Sequence, residues 1–180
     1  TPDTSATALP TFLGNHDMGR VGSFLRNTDA PQKRVELANE LMFLTRGQPV
    51  VYYGDEQGFA GTGGDKDARQ TLFATKVAEY ADQKLVTGEQ AGSVDRYSTT
   101  APLYTQIAEL SKLREAHPAL SDGAQIERHA ASGAGVYAFS RVDASDKDEY
   151  LVAVNNATSA QTVDLTTLTA DASFTVLHGD

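Results

Sequence analysis

Hydrophobic positions in the first third of the chain follow two different periods. Residues 11–14 and 49–53 are short apolar blocks, the second rich in β-branched and aromatic side chains, and both predict strands. Between them, apolar side chains recur at helical spacing, which predicts a helix over residues 30–46 with Asp29 and Gln32 as a capping box at its start. A strand, a helix and a strand in this order form a βαβ unit, whose strands are parallel and joined by a right-handed crossover.

A long polar loop interrupts the hydrophobic pattern in the middle of the chain. Residues 58–99 are rich in glycine and polar side chains, and a helix is predicted near residues 69–81. A stronger helical pattern follows over residues 100–117, with Thr100 as its cap and Pro118 beyond its end. The pattern therefore predicts a second β-to-α step after the second strand.

Beyond residue 118 the pattern changes to short apolar blocks separated by polar turns, which is typical of an antiparallel β-sandwich or meander. We place a domain boundary here, between an α/β part at residues 1–120 and a β-rich part at residues 121–180 that we expect to be truncated. The predicted strands of the β-rich part are residues 136–142, 150–154, 162–165 and 174–177.

The composition excludes several classes of partner and site. The chain has 24 acidic and 15 basic residues, a net charge of −9 and a pI near 4.8, so we expect no binding to nucleic acid or to a membrane surface. The absence of cysteine excludes disulfides, a thiolate metal site and a cysteine nucleophile. No apolar run approaches the roughly 20 residues of a membrane span. Residues 1–4 do not resemble a signal peptide, and the chain is expected to be the interior of a longer protein.

The densest group of chemically useful side chains is Asn15-His16-Asp17, at the end of the first predicted strand. In barrel enzymes, catalytic groups gather at the carboxyl ends of parallel strands. A carboxylate and an imidazole projected together from such an end can bind and polarise a substrate. The alternative is that Asn15 and Asp17 suit a tight turn, and that His16 is a hydrogen-bonded polar side chain without a catalytic role.

Two motifs in a fixed order carry a family resemblance. The strand that ends in NHD at residues 15–17 is followed by a helix and then by GQPVVYYGDE at residues 47–56. This arrangement resembles the end of the catalytic barrel of the α-amylase family of glycoside hydrolases. The resemblance continues into the second helix and the β-rich part. It implies an α/β fold in which the last βαβα portion of a (β/α)8 TIM barrel precedes an antiparallel, β-sandwich-like C-terminal domain.

The resemblance also implies roles for the residues of the first motif. Asp17 falls on a catalytic carboxylate that stabilises the transition state, and His16 falls on a residue that hydrogen-bonds the same sugar. Asn15 falls on a residue that supports both. These residue types suit the chemistry, because an ionised Asp near developing positive charge stabilises the transition state more than the ground state.

A weaker match lies in the loop after the second strand. Asp65 and Arg69 have the spacing of a family pair that contacts the sugar on the non-reducing side of the cleavage point, although the proline that often follows this arginine is absent. The alternative is an ordinary ion pair between residues four apart at the start of a helix. Tyr53, together with Tyr52 and Phe59, is a candidate for packing against a sugar ring, and the alternative is that these aromatic residues belong to the core.

The resemblance also predicts what this chain does not supply. A retaining glycosidase needs a nucleophile and an acid/base carboxylate about 5–5.5 Å apart, and in this family both lie on strands before the NHD strand. We therefore expect part of a secreted enzyme acting on α-glucans such as starch, maltooligosaccharides or pullulan. The chain alone should be inactive, and it should self-associate or stay bound to the upstream part of the enzyme. No cofactor or metal site is expected here, and any calcium would lie upstream.

A different class of function is a stand-alone carbohydrate-binding or interaction module that uses the β-rich part. Such a module has no need of a βαβ unit that ends in NHD. The first third of the sequence therefore favours the enzyme.

Overall fold

The first part of the fold is a parallel strand pair connected by a helix. The structure is a computed structural model that describes residue 5 and residues 8–179, so the polar segment at residues 1–4 lies outside it. Strands β1 and β2 pair in parallel, with Phe12 opposite Val50, which confirms the predicted order of strand, helix and strand. Both strands are three residues long. The structure also contains a short first helix that the sequence did not predict. The elements are β1 (Pro10–Phe12), α1 (Val21–Leu25), α2 (Pro31–Leu44) and β2 (Gln48–Val50).

Helix α2 begins differently from the prediction. Its N-cap is Ala30, which has a left-handed backbone (φ 51°) and makes no side-chain hydrogen bond to the helix. The side-chain amide of Gln32 donates to Glu36 at 2.9 Å, and the carboxylate of Asp29 accepts from Arg34 at 2.8 Å. The predicted capping box is wrong, because both of its members bond to side chains further along the helix.

The loop between β2 and the next long helix has little regular structure. The predicted helix over residues 69–81 is wrong except for its last turn, α3 (Ala78–Ala81). Backbone groups of this segment form hydrogen bonds with residues distant in sequence instead: Arg96 N–H donates to the Leu72 carbonyl, and Thr75 N–H donates to the Gly92 carbonyl. These long-range bonds hold the segment extended. Single 3₁₀ turns lie at Asp55–Gln57, Lys66–Ala68 and Ala91–Ser93.

The second predicted helix is confirmed as α4 (Pro102–Ala116), and it is followed by a short α5 (Ala119–Asp122). The predicted cap is wrong. The N-cap is Ala101, and the hydroxyl of Thr100 lies 3.1 Å from the hydroxyl of Ser98 rather than on the helix. No helix in the described part of the chain is long and apolar enough to cross a bilayer.

The β-rich part is a three-stranded antiparallel sheet in the order β3-β4-β5, formed by β3 (Ala124–Ala130), β4 (Val136–Val142) and β5 (Glu149–Asn155). The predicted strands at residues 136–142 and 150–154 are confirmed. Strand β3 is missing from the prediction because it carries several charged residues and because a bulge between Glu127 and His129 breaks its alternation.

The strands predicted over residues 162–165 and 174–177 are wrong. Among the described residues after 155, none is in a strand. Side chains fix this segment instead, since Leu168 N–H donates to the Glu149 carboxylate at 2.8 Å and the His178 ring lies 3.2 Å from Glu40. Because no described residue after β5 forms a further strand, residues 8–179 contain one layer of sheet here and not the two layers of a sandwich.

An apolar cluster joins the α/β part to the sheet. Two buried arginines cross the same boundary: Arg114 of α4 donates to the Phe43 carbonyl, and Arg141 of β4 donates to the Leu44 carbonyl. These carbonyls belong to the last turn of α2, where a helix has no internal donors for them. The cluster comprises Met42, Phe43, Leu44, Leu110, Leu120, Phe139 and Val152.

Candidate active site

The polar loop after β1 is closed by its own hydrogen bonds. The side-chain oxygen of Asn15 accepts from the backbone N–H groups of Asp17 (2.8 Å) and Met18 (2.9 Å). At the end of the loop, Val21 N–H donates to the Leu13 carbonyl at 3.0 Å. Asn15 therefore stabilises a tight turn, as the alternative interpretation of the sequence predicts. This turn sets the direction of the side chains of His16 and Asp17.

His16 and Asp17 project from this turn into solvent. The His16 Nε2 atom lies 3.2 Å from the Asp17 Oδ2 atom, and both side chains are 65% exposed. A carboxylate and an imidazole are thus adjacent and accessible at the carboxyl end of a parallel strand, where barrel enzymes carry their catalytic groups.

Arg69 connects the second candidate pair to the first. Its Nη2 atom lies 2.6 Å from the Asp65 carboxylate and 3.3 Å from the Asp17 carboxylate, and its Nε–H donates to the His16 carbonyl at 2.9 Å. The ion pair between residues four apart exists as the plainer interpretation predicts, but it lies at a 3₁₀ turn and not at the start of a helix. The structure therefore brings Asp17, His16, Asp65 and Arg69 together on one surface.

Sequence reasoning missed the buried arginine next to this surface. The side chain of Arg20 is fully buried, and its guanidinium donates to the Tyr53 carbonyl (2.7 Å), the Asp55 carboxylate (2.7 Å), the Ala68 carbonyl (2.9 Å) and the Gln70 side chain (3.0 Å). No local signal in the sequence marks it, because its acceptors lie 33 to 50 residues further along the chain. A buried guanidinium requires such a set of acceptors.

The three candidate aromatic residues surround Arg20. The guanidinium carbon of Arg20 lies 4.6 Å from the ring centre of Tyr52, 5.3 Å from that of Tyr53 and 5.6 Å from that of Phe59. Phe59 is 2% exposed, so the prediction that it offers a face to a sugar is wrong, and the core alternative is correct for it. Tyr53 is 40% exposed and is therefore partly accessible from solvent. Burial, followed by the neighbouring Tyr53 hydroxyl, raises the pKa of Tyr52 to about 12.

The two acidic residues after β2 face inward. Burial raises the pKa of Asp55 to about 6, although the Arg20 guanidinium opposes this rise. Glu56 accepts a hydrogen bond from the backbone N–H of Gly54 at 2.7 Å, so its carboxylate stabilises the turn after β2. Among residue 5 and residues 8–179, no group of three or more His, Asp or Glu side chains has the arrangement of a metal site.

Comparison with known proteins places this chain in one family. The family model of the alpha amylase catalytic domain matches residues 3–123, which is more than half of the chain. The chain belongs to the alpha-amylase family. An alpha-amylase from Streptomyces lividans is 52% identical over 186 aligned positions, which cover 99% of this chain and 20% of that protein.

Two further members of the alpha-amylase family extend the comparison. A cyclomaltodextrin glucanotransferase of Bacillus sp. (strain 1011) is 30% identical over 66% of this chain and 13% of its own length. A solved structure of an Anoxybacillus alpha-amylase superposes with a TM-score of 0.63 and 26% identity, covering 83% of this chain and 27% of that chain. The family resemblance predicted from the two motifs is confirmed, and the chain spans about a fifth of the length of its Streptomyces relative.

Proposed function

We propose that these residues are the C-terminal part of the catalytic barrel and the start of the C-terminal domain of an enzyme that cleaves α-glucans with retention of configuration, and that Asp17 is one of its catalytic carboxylates. The observation that carries this proposal is the position of Asp17: solvent-facing at the end of a parallel strand, with His16 and Arg69 in contact. A fixed carboxylate beside the reacting sugar carbon stabilises the positive charge of an oxocarbenium-like transition state.

The neighbouring side chains have supporting roles in this proposal. His16 donates a hydrogen bond to a hydroxyl of the same sugar, and Asn15 holds the turn that carries both residues. Asp65 and Arg69 bind the sugar on the non-reducing side of the cleavage point, where their charged groups can pair with hydroxyls. The partly exposed Tyr53 packs against a sugar ring.

The remaining parts of the enzyme lie outside these residues in the proposal. Residues 1–120 are the end of a catalytic barrel, and residues 121–180 begin a β-rich C-terminal domain. The nucleophile and the acid/base carboxylate belong to earlier strands of the barrel, as does any calcium site. An alpha-amylase and a cyclomaltodextrin glucanotransferase among the relatives support an α-glucan as the substrate class.

The test is the Asp17→Asn variant of the full-length enzyme assayed on soluble starch. It keeps the shape of the side chain and removes its charge, so turnover should fall by about 10²–10⁴-fold with an unchanged circular dichroism spectrum. His16→Ala should be milder and act partly on KM, because it removes a hydrogen bond and not a charge. The matched control is Asp164→Asn, at an exposed aspartate of the C-terminal segment. Near-normal turnover of Asp17→Asn would contradict the proposal.

A further inference from the structure

Two arginines connect the same pair of loops in opposite directions. Arg20 belongs to the loop after β1 and donates to Ala68 and Gln70 of the loop at residues 65–70. Arg69 lies between these two acceptors and extends back to Asp17 and to the His16 carbonyl. The first arginine is fully buried, whereas the side chain of the second is 48% exposed.

The exposed connection is too weak to fix its own geometry. Arg69 and Asp17 are 48% and 65% exposed, and an ion pair so accessible to solvent contributes little to stability. The contacts of the buried Arg20 do fix their own geometry, because four acceptors and three aromatic rings determine the position of its planar guanidinium.

The backbones of the two loops also touch, so a displacement of one reaches the other. A Cβ atom at Gly19 would lie 2.7 Å from the Cα atom of Gly63, closer than real Cβ contacts. Gly63 itself has a left-handed φ of 100°, which favours glycine. The loop that carries Asp17 is thus in direct backbone contact with the segment that leads to Arg69.

We propose that Arg20 is a positioning residue for the candidate active site: by holding Ala68 and Gln70 against the loop after β1, it sets the distance between Asp17 and Arg69. This inference rests on the proposed function. Arg20 touches no substrate in it and acts through the two exposed residues. A displacement of about 1 Å in such a site is enough to reduce turnover up to a hundredfold.

The sharpest variant is Gln70→Met, which removes one of the four hydrogen bonds of Arg20. The amide nitrogen of Gln70 is buried without a hydrogen-bond partner, so an apolar side chain of similar length removes one unsatisfied group, and the cost to the fold is that of leaving the buried Arg20 Nε–H without its acceptor. Arg20→Lys is the second variant, because it keeps the charge and loses the planar fork. The matched control is Arg34→Lys, at an arginine paired with Asp29 on α2.

The experiment is a double-mutant cycle in the full-length enzyme on soluble starch. Gln70→Met should lower kcat about tenfold in the otherwise unchanged enzyme and less than about twofold in an Arg69→Ala background, since the residue through which it acts is then absent. Arg20→Lys should show the same loss of effect in that background, and Arg34→Lys should leave kcat and KM unchanged. Thermal midpoints are measured in parallel.

The two proposals fail in distinguishable ways. If Asp17→Asn keeps normal turnover, the proposed function itself is wrong. If Asp17→Asn is inactive but the effects of Gln70→Met and Arg69→Ala simply add, Arg20 contributes to stability alone and the positioning role is overturned. If Gln70→Met does not fold, the same additivity is read from Arg20→Lys.

Discussion

Arg114 and Arg141 donate to the same acceptor, the backbone carbonyl of Leu120, at 2.7 and 2.8 Å. One arginine comes from the last turn of α4 and the other from the central strand of the sheet. Burial, and then the neighbouring Arg114, lower the pKa of Arg141 to about 10, so Arg141 remains a cation at neutral pH. Two buried cations are therefore held together by carbonyl dipoles.

Removal of Arg141 should destabilise the fold strongly. Arg141→Met fills a similar volume but leaves the carbonyls of Leu44 and Gly123 without this donor, at a cost of about 3 kcal/mol. The measurement is urea unfolding of the 180-residue chain followed by circular dichroism. Arg46→Ala, at an exposed arginine between α2 and β2, should change stability by less than about 0.5 kcal/mol. Equal stability of the two variants would show that the buried hydrogen bonds of Arg141 contribute nothing net.

The raised pKa of Asp55 gives stability a pH dependence of definite sign. An acid whose pKa rises from 3.8 to about 6 on folding binds its proton more tightly in the folded state. Its contribution to the free energy of unfolding therefore falls as pH rises from about 4 to about 6, by an amount on the order of 2 kcal/mol. Asp55→Asn should remove this fall.

The comparison of unfolding free energies from pH 4 to 7 isolates the effect, because all other carboxylates are common to both proteins. The wild-type chain should lose stability across this range relative to Asp55→Asn, whereas Asp164→Asn should follow the wild type. A constant difference between wild type and Asp55→Asn at every pH would rule out a raised pKa for Asp55.

The isolated chain should have no hydrolytic activity of its own. The family resemblance assigns the nucleophile and the acid/base carboxylate to strands before β1, and Asp17 alone cannot perform either step of a retaining reaction. Incubation of the purified chain with soluble starch, pullulan and an aryl α-glucoside tests this by release of reducing sugar. Release that disappears in Asp17→Asn would mean that the missing carboxylates lie within these residues.

The parallel strand pair should make the chain associate. Phe12 and Val50 are register partners and are 47% and 49% exposed, so β1 and β2 present an uncovered apolar face. Such a face and open strand edges favour pairing with another chain or retention of an upstream segment. Light scattering at several concentrations, with mass spectrometry of the sample, should find a mass above 19.2 kDa or a bound peptide.

Replacement of Val50, the register partner of Phe12, tests whether this apolar face causes the association. Val50→Thr should shift the distribution toward the monomer, and Val176→Thr, at a 72% exposed valine of the C-terminal segment, should not. A strictly monomeric chain that unfolds cooperatively would contradict the expectation.

The elements with regular hydrophobic periods could be predicted from the sequence. Helices α2 and α4 and strands β4 and β5 each repeat apolar side chains at the period of their structure. Strand β3 could not be predicted, because Glu127, Arg128 and His129 mask its alternation and its place depends on pairing with β4. The predicted strands after residue 155 have the right composition, but strand structure also requires a backbone partner.

The candidate site could likewise be predicted only in part from the sequence. His16 and Asp17 stand out by chemistry and position in one short loop, and the spacing of Asp65 and Arg69 makes them visible as a pair. The contact between the two groups is long-range, so no local pattern contains it. Arg20 was hidden for a related reason, since its burial depends on acceptors that lie 33 to 50 residues further along the chain.

The buried arginine pair makes the two parts of the chain dependent on each other for folding. If the chain is cut after residue 123, the α/β part loses the donor that Arg141 supplies to Leu44 at the end of α2 and to Leu120 within α5. We therefore expect the two parts to unfold in a single cooperative transition, although the hydrophobic pattern of the sequence changes between them. The sheet thus supplies a hydrogen-bond donor to the C-terminal carbonyl of α2, and its replacement by an unrelated module would leave the Leu44 carbonyl without the Arg141 donor.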